Sequence, residues 1–147
     1  MSLSEMPIGL ALISCDTVIE DRRSGKKSLI GLFGQLNVRK LPYIHPSMSL
    51  FVSMTGGTGE HACEVLCSSA SLKNPVFSVK GKIKFDHPQQ VIDMVFQLQS
   101  IRFPQADTYW IKVIVDEVPL MMRPLVVVQH QKPAAPGEAK EPPGEIK

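Results

Sequence analysis

The sequence is short of cysteine, aromatic rings, net charge and long apolar runs, and each shortage removes a class of protein. Three cysteines, Cys15, Cys63 and Cys67, are an odd number without framework spacing, which argues against a disulfide scaffold. They read as reduced thiols of a cytoplasmic protein. No apolar stretch approaches the roughly 20 residues of a membrane helix, so no membrane partner is expected. Aromatic residues make up 6%, few for the exposed ring platforms that sugar sites present. The net charge is +2. Nucleic-acid binders concentrate Lys and Arg on one face, whereas here the basic residues are dispersed, so no nucleic-acid partner is expected. The one basic cluster, Arg22, Arg23, Lys26 and Lys27, follows Glu20 and Asp21. There is no Gly-x-Ser-x-Gly elbow and no His-Glu-x-x-His run. No catalytic residue and no cofactor is therefore assigned, which leans away from an enzyme.

What remains is ordinary globular material. Hydrophobic residues are 44% and charged residues 20% of 147, enough for one domain with a core. Residues 1–7 read as a lead-in and 8–128 as the folded body. Residues 129–147, rich in Pro, Glu and Lys, read as a disordered tail, because such a segment buries too little to offset its ordering entropy. Leu12-Ile13-Ser14-Cys15 fits the loose pattern of a lipoprotein cleavage site with Cys15 lipidated. A signal peptide needs a basic start and a longer apolar stretch. Residues 1–7 carry Glu5 and no Lys or Arg, so a buried strand is the expectation there.

The body alternates with period two, the signature of strands. Phe77, Val79, Gly81, Ile83 and Phe85 interleave with Ser78, Lys80, Lys82 and Lys84, so one face is apolar and the other carries a lysine row. Those lysines would discourage edge pairing between copies. Ile92, Met94, Phe96 and Leu98 share a face, and then Ile101 and Phe103 fall out of phase. A bulge near Ser100 would restore the inward direction. Tyr109, Ile111, Val113 and Val115 form another in-phase run, and Leu125 to Val128 predict a last strand buried on both faces. Leu29 to Val38 reads as one strand with Ile30, Leu32, Leu36 and Val38 on one face. Asp116 to Pro119 reads as a turn. A helix over 87–95 is disfavoured by Val91, Ile92 and Val95, which are β-branched. The sum is seven to nine short strands in an all-β antiparallel sandwich, immunoglobulin-like or C2-like.

The candidate sites are few. Thr55-Gly56-Gly57-Thr58-Gly59 is Gly-rich, but no Gly-Lys-Ser/Thr follows and no helix opens after it, so it reads as a hairpin loop rather than a phosphate cradle. His61, Cys63 and Cys67 share parity and would face one side of a strand. They are the candidate metal ligands, although no fourth ligand is evident and buried Cys usually packs as a small hydrophobe. His45 and His87 precede prolines and so sit naturally in turns, and His130 lies near the tail. Asp86-His87 is an acid–base pair without a nucleophile motif.

One pattern goes beyond single residues. Cys15-Asp16, Val18-Ile19, Ser28-Leu29-Ile30-Gly31-Leu32-Phe33, Pro42, His45-Pro46 and Thr55-Gly56-Gly57 are followed by Ile101 to Pro104, Tyr109 and Val113 to Val115. Over residues 8–128 this resembles a family of small bacterial proteins known only as a domain of unknown function. The resemblance implies a bacterial, cytoplasmic origin and a compact β-sandwich, and it transfers no activity to any residue. The expectation is a non-catalytic binding or protein-interaction module. Its candidate surfaces are the loops Arg22, Arg23, Lys26, Lys27 and Gly56, Gly57, His61, or an outer face of Trp110, Ile114 and Phe51 that a second copy could cover. The partner would be a second copy, giving a homodimer, or another protein. Two alternatives stand beside it: a metal- or ligand-dependent enzyme using His61, Cys63 and Cys67, and a carbohydrate- or lipid-binding sandwich.

Overall fold

The computed structural model describes residues 4–130. Within them the chain forms nine strands: β1 Ile8–Glu20, β2 Lys27–Leu32, β3 Gln35–Val38, β4 Tyr43–Thr55, β5 Gly59–Ser68, β6 Phe77–Phe85, β7 Val91–Phe103, β8 Asp107–Val115 and β9 Val118–Gln129. They make two packed sheets, one of order β2-β1-β4-β7 and one of order β3-β9-β8-β5-β6. Among the described residues no helix is long and apolar enough to cross a membrane.

Period two selects the core as alternation requires. Met48, Leu50, Val52 and Met54 of β4 face Val65, Cys67, Tyr109, Ile111, Val113 and Leu125 of the other sheet, and all are buried. Phe103 and Tyr109 meet edge-to-face with centroids 5.1 Å apart. The Tyr109 hydroxyl donates to the Gln105 carbonyl at 2.6 Å, so its polar end is satisfied inside the core.

Five expectations are corrected. Leu29–Val38 is not one strand. Gly34 interrupts it, β2 stays on the first sheet and β3 crosses to the second. Ile30 and Leu32 are consequently exposed, Leu32 to 63%. The sheets are also not wholly antiparallel. The link Phe33–Gly34 leaves no room for a reversal, so β3 keeps the direction of β2 and pairs parallel with β9. β9 begins at Val118, which confines the turn before it to Asp116 and Glu117, both at positive φ. Its end is buried on one face only, with Leu125 and Val127 inside and Val126 and Val128 half-covered. Lastly, Gln129 ends β9 and the His130 amide donates to the Val38 carbonyl at 2.8 Å. The predicted tail therefore begins later than 129, and the rest of it lies outside the described residues.

The phase slip of β7 falls at Ser100, which takes φ of +52°. The ladder to β4 keeps its register across the slip: His45 stands opposite Ile101 and Ser47 opposite Gln99. Both strands change face together, at Ser100 and at Pro46 across from it, so no residue is inserted in the pairing. The stack is latched along one side. Arg123 Nη1 donates to the Leu12 carbonyl at 2.9 Å. Gly9 lies so close to Met121 that a Cβ would come within 2.5 Å of its Cγ.

Leu50→Ala should cost about 3 kcal/mol, the usual loss for a fully buried Leu, while Leu32→Ala should cost less than about 0.5 kcal/mol. Urea denaturation of the two variants checks both values. Similar losses would mean that Leu32 is in the core after all.

Candidate functional site

The two loops singled out from sequence lie at opposite ends of the stack. β1 pairs antiparallel with β4 so that Ile8 meets Thr55, and the basic turn follows the far end of β1. The 13 residues of β1 separate them by about 40 Å at the usual strand rise. Arg22, Arg23, Lys26 and Lys27 are exposed. The turn that carries them is closed by Asp21, whose Oδ1 accepts from the Arg23 and Ser24 amides at 2.8 and 3.2 Å. At the other end, the Gly56 amide donates to the Pro88 carbonyl and the Thr58 amide to the Glu5 carbonyl. Gly57 is packed so that a Cβ would come within 2.9 Å of the Phe85 ring. These two amides already have acceptors inside the chain.

His61 sits beside this loop and is the most constrained polar side chain of the region. Its side chain is 1% exposed. Nδ1 lies 2.6 Å from Asp116 Oδ2 and Nε2 lies 2.9 Å from the Thr58 carbonyl oxygen. The Phe85 ring stands edge-on at 6.2 Å. A carbonyl oxygen only accepts, so Nε2 carries a proton toward Thr58. The bond from His61, with a second from the Ala62 amide, holds the Asp116 carboxyl below the usual carboxylate range. This pair ties the β8–β9 turn to the loop before β5. Sequence reasoning placed Asp116 in a turn but missed it as the partner of His61, 55 residues away. The available signal was a carboxylate in a two-residue hairpin turn.

His61, Cys63 and Cys67 do lie on one side of β5, and that side is the core. Burial pushes the Cys63 thiol up and the Cys67 thiol up to about 12. Cys15 is buried as well, and burial with the nearby Asp16 charge raises its thiol. His45 receives or gives a bond to the Tyr43 hydroxyl at 3.0 Å, and burial lowers its pKa. His87 and His130 are exposed, in the turn before β7 and at the end of β9. A cavity of about 350 Å³ opens beside the β5–β6 connection, and its charged residues are Lys73 and Arg102.

Trp110, Ile114 and Phe51 do not share a face. Trp110 and Ile114 point outward from β8, whereas Phe51 points outward from β4 between Ile13 and Val95 on the other sheet. Parity separates inside from outside, but it does not say which sheet a strand joins. Around Trp110 the register sets Ser68 and Pro124 on either side, and Leu66 and Met122 flank Lys112 in the next row. Trp110 is 37% and Met122 51% exposed.

The family model for DUF6941, a family of unknown function, matches residues 10–128. The chain belongs to DUF6941. The DUF6941 stretch runs from Leu10 in β1 to Val128 in β9, and so contains the core, the His61–Asp116 pair and the Trp110 face. Among curated proteins none matches the chain.

Asp116→Asn should lower stability by about 1–2 kcal/mol at pH 7, the range for a hydrogen bond to a charged group that is partly solvated. The folded pKa of Asp116 is depressed, so its contribution is present above the unfolded value and disappears as pH falls through the folded one. The gap between wild type and variant should therefore close as pH falls below the ordinary carboxylate range, as read by thermal denaturation against pH. A gap independent of pH would remove the Asp116 carboxylate from the account. Separately, Cys63 and Cys67 should react with a thiol reagent about 100-fold more slowly in the folded protein than in urea at neutral pH. Rapid labelling of the native protein would contradict their burial.

Proposed function

We propose that this DUF6941 chain is a non-catalytic protein-interaction module, a cytoplasmic bacterial β-sandwich of immunoglobulin-like or C2-like type. Its working surface is the outer face of the five-stranded sheet. The observation that carries this is the apolar surface spread over three adjacent strands by Leu66, Trp110, Ile114, Met122 and Pro124, with Lys112 among them and Glu64 opposite Ile114. Apolar groups gathered on a surface mark interaction sites more than scattered ones do, and Trp is the residue that most often anchors them. The occupant is a second copy of the chain, related by a two-fold axis that lays the same face on itself.

The candidate ligand sets give other readings less support. Cys63 and Cys67 face the core, and both His61 nitrogens are engaged, so a metal enzyme would have to unmake existing contacts. A sugar platform would rest on Trp110 among the larger rings, since Tyr109 is buried and Tyr43 half-buried.

Sedimentation equilibrium over a wide concentration range should give twice the chain mass at the high end. Trp110→Lys and Met122→Lys should each weaken that association by about tenfold or more. A monomer at every concentration would overturn the dimer, as would a dimer indifferent to both substitutions.

A further inference from the structure

β6 ends the five-stranded sheet and β7 ends the four-stranded one. Between these edges, on the side away from the Arg123 latch, lies a slot of about 150 Å³ lined by Val65, Val79, Ile83, Met94 and Phe96. Gly81 stands opposite Cys63 and in phase with Val79 and Ile83. A Cβ there would meet no atom within 4 Å. The alternation calls for an apolar side chain at this point and the chain supplies none.

The other face of β6 carries Lys80, Lys82 and Lys84, all exposed. Among the described residues none of them has a carboxylate within 4 Å. The partner that β6 already has shows what such a strand accepts. On β5, Glu60 stands opposite Lys84 and Glu64 opposite Lys80, while His61, Cys63 and Val65 turn inward. Glu64 Oε2 accepts from the Ser78 hydroxyl at 2.7 Å. The far edge of β6 offers the same lysine row and, in addition, the gap at Gly81.

We propose that this free edge receives an extended acidic segment of a partner protein, paired strand to strand with β6. Its carboxylates lie beside Lys80, Lys82 and Lys84, and an apolar side chain between them enters the slot at Gly81. Main-chain hydrogen bonds then give affinity and the alternating side chains give specificity. A second copy is a poor occupant of this edge, because β6 against β6 sets lysines beside lysines. A free small molecule is poorly matched too, since the slot is about half the size at which ordinary ligand sites begin. The lysine row shares the outer face of this sheet with Trp110 but stands two strands away from it, and the open edge lies beyond that row.

The test is an amide NMR titration of the full chain with a synthetic peptide of alternating glutamate and valine, as long as the nine residues of β6. Shifts and new hydrogen-exchange protection should centre on Phe77–Phe85. Gly81→Val should keep the folded spectrum and weaken binding about tenfold, and replacing the peptide's glutamates by lysine should abolish it. Trp110→Lys should bind the peptide like the wild type, so loss of the dimer and loss of this site read separately. The proposal is overturned by shifts centred on Trp110, by equal binding of the lysine peptide, or by undiminished binding to Gly81→Val. An unchanged spectrum at millimolar peptide does the same. Protection of the β6 edge before peptide is added would mean that the chain itself covers it, and that also overturns the proposal.

Discussion

β4 runs between β1 and β7, and a one-residue slip in either pairing would carry Met48, Leu50, Val52 and Met54 out of the core. Ser47, Ser49, Phe51 and Ser53 would take their places. Four large apolar side chains against three serines make that exchange prohibitive, since each buried Met or Leu is worth about 2–3 kcal/mol. The register of β4 thereby fixes the inward set of β1 and β7. The second sheet then closes over that set with Tyr109, Ile111, Val113 and Val115 of β8. The change of face at Pro46 and Ser100 survives because both strands make it at once and the ladder never loses count.

Alternation made much of this legible from sequence. Phe77–Phe85, Tyr109–Val115 and the phase slip near Ser100 could be read directly, since each is a local pattern of wet and greasy positions. Leu29–Val38 could not. Its apolar spacing continues smoothly through Gly34, while the chain leaves one sheet for the other, and no period records such a crossing. The same blindness joined Phe51 to Trp110 as one face, although two sheets stand between them. The His61–Asp116 pair was hidden for a different reason. It depends on the β8–β9 turn folding back over the start of β5, a tertiary event with no local signature beyond a carboxylate in a tight turn.

Membership of DUF6941 brings no activity with it, so the functional reading rests on where this chain leaves its surface unfinished. The Trp110 face and the β6 edge differ in chemistry. The Trp110 face is largely apolar, with Lys112 and Glu64 beside its apolar side chains, the chemistry of a flat contact between folded proteins. The β6 edge is basic outside and hollow inside, the chemistry of a single extended chain. His61 stands opposite Ile83 of the β6 slot and, with Asp116, braces that end of the stack, holding the β8–β9 turn against the loop before β5.

The latch of Arg123 on Leu12, with Gly9 seated against Met121, binds the two layers along the β1–β9 side. The sheets are hinged like the covers of a book whose spine is the β1–β9 seam. Swinging them apart at the fore-edge loosens side-chain packing around Met94 and Phe96 but breaks no rung of either ladder. The five residues 86–90 that join β6 to β7 limit how far that edge can open.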